Sequence, residues 1–180
     1  MGGVRPSTLP CLVGVFVVSA CTSTPYFDIP AEIDQAAPMH TDDSIYVGIW
    51  PLVAQLGDVV ELRGLELVDA DVDNVDVTAL AVDMSGIDGD GIGIVLASES
   101  TSAQAAVEGL QPLAGFRFRS TDSIGSGHVV LRIDGLGPGE ASFGAVRLSF
   151  SVNGGPVQVQ EITSAVRICV DDPMPPNCDP

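Results

Sequence analysis

Val146-Arg147-Leu148-Ser149-Phe150-Ser151-Val152-Asn153-Gly154-Gly155-Pro156-Val157-Gln158-Val159 decides the fold class of this 180-residue chain. Val146, Leu148, Phe150 and Val152 alternate with Arg147, Ser149 and Ser151. Side chains of an extended strand point to opposite faces in turn, so this spacing places four apolar groups on one face and polar groups on the other. Asn153-Gly154 follows directly. Both residue types tolerate the positive φ that a tight hairpin turn requires, and an alternating run resumes with Val157 and Val159. The stretch reads as a β-hairpin with one wet face and one dry face.

The same period of two extends outward from this hairpin. Ile45, Val47 and Ile49 alternate with Tyr46, Gly48 and Trp50, and Pro51 is expected to end that strand. A second strand covers Asp58 to Val68, where Val60 and Leu62 share one face and Leu65 and Leu67 fall on the other. The phase changes at Gly64, which predicts a bulge or bend there. Further strands are expected at Val75–Ala81, Ile92–Ala97, Phe116–Phe118, Val129–Ile133 and Val166–Val170. Between Ser100 and Leu110 the alternation lapses, and Ser102 could cap a short helix through Ala103–Val107, the single helix expected. About nine strands with frequent turn signals predict an all-β domain over residues 45–170. The expected form is an antiparallel β-sandwich of immunoglobulin-like architecture, with a closed barrel as the alternative. The cysteine pair that joins the two sheets of true immunoglobulin domains is absent, so the likeness is one of architecture.

Composition agrees. The apolar fraction is 46%, enough for a single packed core at this length, and aromatics contribute only 5%. Valine, isoleucine and abundant turn formers (20 Gly and 13 Pro) favour strands over helices. Charge is one-sided, with 24 acids against 7 bases, every base being arginine. A surface this negative repels phosphate backbones and anionic headgroups, so neither nucleic acid nor direct adsorption to a membrane is expected.

The first twenty residues have a different character. One basic residue, Arg5, precedes the apolar run Cys11–Val18, and Ser19-Ala20-Cys21 follows. The run is about half of the roughly 20 residues needed to span a bilayer, which suits an export signal better than a permanent span. Val18-Ser19-Ala20-Cys21 resembles the lipobox of bacterial lipoproteins, departing from its commonest form by having Val18 where leucine is usual. The resemblance implies that residues 1–20 are a signal peptide removed before Cys21. It further implies that the Cys21 thiol carries a diacylglycerol, that the new amino terminus is open to acylation, and that the protein lies in the cell envelope, outside the cytoplasm. Several acyl chains hold a protein stably where one holds it only marginally. An ordinary secretory cut after Ala20 is the alternative, leaving Cys21 as a thiol. After either cut Arg5 is lost and 6 arginines face 24 acids, a side-chain charge of −18.

Residues 21–44 hold Pro25, Pro30, Pro38 and five acids without a sustained period. They are expected to form a flexible acidic tether reaching about 25–30 Å, within which Tyr26, Phe27 and Ile29 could dock on the domain. At the other end Cys169 and Cys178 enclose a proline-rich loop. In an exported chain the pair is expected to form a disulfide that pins the tail, residues 171–180.

Chemistry is sparse. Asp69, Asp71 and Asp73 open like a calcium-binding loop. However, Asn74 stands where the turn glycine belongs and Leu80 where the bidentate glutamate belongs, leaving them weak Ca²⁺ candidates with no other metal expected. Gly125-Ser126-Gly127-His128 lacks the first glycine of a nucleophile elbow, Ile124 standing there instead. No phosphate-binding glycine loop precedes a helix, and two distant histidines are too few for a zinc centre. The expectation is a non-enzymatic module without cofactors, joined to a membrane by lipid and to a possible envelope protein partner. A Ca²⁺-stabilised adhesive or carbohydrate-binding domain is the first alternative, and a hydrolase built on scattered carboxylates the second.

Overall fold

The computed structural model describes residues 26–27, 33–83, 94–96, 108–120 and 127–170. They form an all-β protein with ten strands: β1 (Ile33–Met39), β2 (Ser44–Leu52), β3 (Val59–Val68), β4 (Val75–Asp83), β5 (Ile94–Leu96), β6 (Gln111–Pro112), β7 (Arg117–Arg119), β8 (Gly127–Gly135), β9 (Gly139–Val152) and β10 (Val157–Val170). Two five-stranded sheets result, ordered β1-β10-β9-β3-β7 and β5-β2-β8-β4-β6. The helix expected at Ala103–Val107 and the tail at 171–180 lie outside the described residues.

The β9–β10 hairpin is the longest element, two strands of 14 residues each. Asn153 and Gly154 both take positive φ, 52° and 73°, and the Gly155 N–H closes the turn on the Val152 carbonyl at 2.8 Å. In β3 the pairing with β9 shifts between Leu62 and Gly64, so Arg63 is the extra residue of a bulge. That shift lets Val60 and Leu62 on one side of it, and Leu65 and Leu67 on the other, all turn to the same core.

Both sheets feed one hydrophobic cluster. Ile45 and Val47 of β2 and Leu131 and Ile133 of β8 meet Leu62 of β3 and Leu148 and Phe150 of β9, all at most 1% exposed. Phe118 reaches from β7 of the first sheet to Gly127 of the second. A Cβ built on Gly127 would lie 2.6–2.8 Å from three atoms of that ring. Gly127→Ala must therefore displace a packed phenyl group and should destabilise by about 1–3 kcal/mol, read from the midpoint of urea unfolding.

Three sequence expectations are corrected. The stretch read as a flexible tether, residues 21–44, contains β1. Its seven residues pair in parallel with Ser164–Val170 of β10, and Ala37 and Met39 are buried. The period of two is masked there because Pro38 and the small Ala36 and Ala37 weaken the apolar signal. Proline is tolerated at an edge, and β1 is the outermost strand of its sheet among the described residues. The same pairing makes the sheet mixed where a purely antiparallel one was expected. Finally, Pro51 does not end β2, which continues to Leu52. β5 pairs only with Ile45–Val47, so Pro51 lies beyond its reach, beside a register shift against β8. The strand count rises accordingly: β1 and the short β6 are added, while the runs around Val157 and Val166 fuse into β10.

Candidate functional site

One cluster of side-chain hydrogen bonds lies at the pole where β3 begins and β9 turns into β10. Asn153 is held by the hairpin turn and binds the start of β3 at three points. Its N–H donates to the Val59 carbonyl at 2.8 Å, its Oδ1 accepts the Val59 N–H at 3.0 Å, and its Nδ2 donates to Asp58 Oδ1 at 2.7 Å. The other Asp58 oxygen accepts the Tyr26 hydroxyl at 2.5 Å. Next to it, the Gln160 side chain of β10 grips the Phe27 backbone twice. Gln160 Oε1 accepts the Phe27 N–H at 2.9 Å and Nε2 donates to the Phe27 carbonyl at 3.1 Å. Phe27 enters the core at 1% exposure, its ring 4.6 Å from that of Phe150, with the Tyr26 ring edge-on to Phe27 and tilted against Phe150. Tyr26 and Phe27 thus clasp the N-terminal segment to the pole by two buried or half-buried rings and three side-chain hydrogen bonds.

The clasp has a pH signature. Burial, then the hydrogen bond to Asp58, push the Tyr26 phenol well above its ordinary value of 10. The hydrogen bonds from Tyr26 and then Asn153 hold the Asp58 carboxyl below its ordinary 3.8. In acid the released chain takes up the Asp58 proton first, so the clasp loses stability as pH falls from 3.8 through the lowered value. In alkali the released chain gives up the Tyr26 proton first, so stability is lost as pH rises above 10 towards the raised value. The thermal stability difference between the parent and Tyr26→Phe should therefore be broad and flat at neutral pH and shrink at both extremes.

Beside the clasp, Val59, Glu61, Arg117, Asn153 and Gly154 line an open depression of about 340 Å³. Glu61 is fixed there between Arg63 at 2.8 Å and Arg117 at 2.7 Å. Such a depression is shallow, and its one carboxylate is committed to two guanidinium groups. A second ion-pair array crosses the outer face of the same sheet, where Arg147 reaches both Glu66 and Glu161 at 3.0 Å. Val157 and Val159 stand on that face at 60% and 57% exposure. Compared with family models, with curated proteins and with solved structures, the chain matches none. The reading of function therefore rests on its own residues.

The sequence candidates fall as follows. Asp69, Asp71 and Asp73 are all exposed, Asp69 at a positive φ of 52° and Asp71 in an isolated bridge to Ser142. Among the described residues no group of three or more His, Cys, Asp or Glu side chains is placed to hold a metal ion, so the structure does not assemble the calcium candidates. They lie on the connection that carries the chain from β3 of one sheet to β4 of the other. Cys169 is buried and disulfide-bonded. Cys21 and Cys178 lie outside the described residues, as does Ser126. His128, at the start of β8, is 4% exposed, and burial pushes its pKa down, holding the ring neutral. It is paired across the ladder with Val82 and Pro51. Asp58 and Gln160 were missed from sequence, because a lone acid before a strand and one glutamine within it carry no local signal.

Proposed function

We propose that this chain is a lipid-anchored lipoprotein of the bacterial cell envelope, whose domain is a non-catalytic binding or accessory β-sandwich of immunoglobulin-like architecture. The observation that carries the anchor is Val18-Ser19-Ala20-Cys21 at the end of an apolar run, five residues before the first docked side chain, Tyr26. A structured domain starting just behind an export signal is what a cleaved leader would leave. Among the described residues no helix is long and apolar enough to cross a membrane. Attachment in this reading is through acyl chains on Cys21.

Strand order supports the architecture. The runs β10-β9-β3 and β2-β8-β4 correspond to the G-F-C and B-E-D orders of immunoglobulin-like sandwiches. Ten strands in two sheets sharing one core leave hairpins and connections at the two poles, where such modules carry their contacts. The shallow depression, the committed Glu61 and the exposed valines of β10 suit a contact surface for an envelope protein partner better than a reaction site.

The test is the intact mass of the protein extracted from its native membrane, with a Cys21→Ala variant alongside. The expected result is an acylated chain beginning at Cys21, and a variant that leaves the membrane fraction. An unmodified mature chain released to the medium would refute the anchor.

A further inference from the structure

Resting on the lipid-anchor reading, we propose that the Tyr26–Phe27 clasp is an orientation device that holds the Asp58 pole against the bilayer surface and points the acidic pole away from it. Only residues 22–25 separate Cys21 from Tyr26. Five Cα–Cα steps span at most about 17–18 Å, whatever their conformation, at roughly 3.3–3.6 Å per residue. Without the clasp the next described residue held by the fold is Ile33 of β1, and the same arithmetic allows about 40–43 Å. Two docked side chains thus more than halve the tether and decide which end of the domain it leaves from.

Among the described residues the two poles differ in exposed charge: on the Asp58 side Asp83 stands with Arg117 and Arg119, whereas the other side gathers more acids. The strand register places Asp58, Leu56, Gly57, Asn153 and Gly154 at the end where β3 begins and β9 ends. Leu56 projects there at 77% exposure, and the Asp58 carboxylate is occupied by Tyr26 and Asn153. At the opposite end, where β9 begins beside Val170 and Met39, stand Asp42, Asp43, Asp69, Asp71, Asp73 and Glu140, all exposed. β9 runs from one end to the other, and its 14 residues at about 3.3 Å each separate the poles by roughly 40 Å. An anionic leaflet repels carboxylates only within about a Debye length, 8–10 Å at physiological salt. The acidic pole escapes that repulsion when it points outward and meets it when inverted. Tether geometry and charge therefore select the same orientation, and the partner of the Asp58 pole is the lipid surface.

The experiment uses the full chain expressed with its own leader, recovered in membranes and labelled under non-reducing conditions with a thiol fluorophore. Leu56→Cys and Asp73→Cys are the two reporters, and the unsubstituted chain measures background. Energy transfer to an acceptor-headgroup lipid in the same membranes should be several-fold greater from position 56 than from position 73. Releasing the clasp with Phe27→Ala plus Gln160→Ala, which removes both the buried ring and the side chain that grips its backbone, should reduce the difference to less than half. Equal transfer from the two positions in the clasped protein, or greater transfer from position 73, overturns the orientation while an acylated Cys21 mass leaves the anchor standing. A mass showing Cys21 unmodified overturns both. Because the decisive comparison is made with the clasp intact, it does not depend on the double variant remaining folded.

Discussion

Phe27→Ala should destabilise the domain by about 3–5 kcal/mol, as much as truncating a ring in the middle of a core strand. The residue precedes every strand and lies in a segment whose composition resembles a linker, so the ordinary expectation for it is an effect near zero. The structure points the other way. Phe27 is 1% exposed and its ring packs at 4.6 Å from Phe150, itself 1% exposed on the central hairpin. Removing the ring leaves a cavity lined by Tyr26 and Phe150 at the open end of the core, and surrounding strands held by ladder hydrogen bonds can close it only in part. Chemical denaturation of the mature chain gives the number. A loss under about 1 kcal/mol would mean that Phe27 docks without being part of the core. Tyr26→Phe, which keeps the ring and deletes only the hydroxyl, should cost much less, separating burial from hydrogen bonding.

Loss of the Cys169 disulfide is the second large effect, about 2.5–3 kcal/mol if the partner is Cys178 and the ring closes ten residues. Cys169 is buried at the end of β10, paired with Glu140 on one side and Pro38 on the other. A bond from Cys169 to Cys178 would tie the segment between them to the place where β1, β9 and β10 come together. Cys178→Ala should therefore approach the cost of Cys169→Ala, and the double variant should be no less stable than Cys169→Ala alone, since a single bond is lost once. Non-reducing peptide mapping gives the partner directly. A stable Cys178→Ala protein beside an unstable Cys169→Ala one would place the bond with another cysteine.

These two predictions fall at the chain's ends, and the ends are where sequence and structure part. The hairpin at Asn153-Gly154, the bulge at Gly64 and the buried faces of β2, β3, β8 and β9 were legible because each is a local property. Alternation sets a face, a positive-φ residue sets a turn, and a change of phase marks an extra residue. β1 was not legible. Its apolar side chains are small, it carries Pro38, and what makes it a strand is the free edge of β10, whose residues lie more than a hundred positions away. Pro51 misled for a related reason: proline stops a strand only where a neighbour needs its N–H, and the described residues of β5 pair with Ile45–Val47 rather than with Pro51.

The site divides in the same manner. The amino-acid sequence by itself determined the all-β class, the main hairpin and the lipobox resemblance, since all of these reside in residue types and short spacings. Tertiary structure decided that Tyr26 and Phe27, whose docking the sequence left open, belong to the domain, and that Asp58, Asn153 and Gln160 receive them. Each of those outcomes depends on through-space partners separated by 32 to 133 residues along the chain, a relation that no local pattern of hydrophobicity or charge encodes.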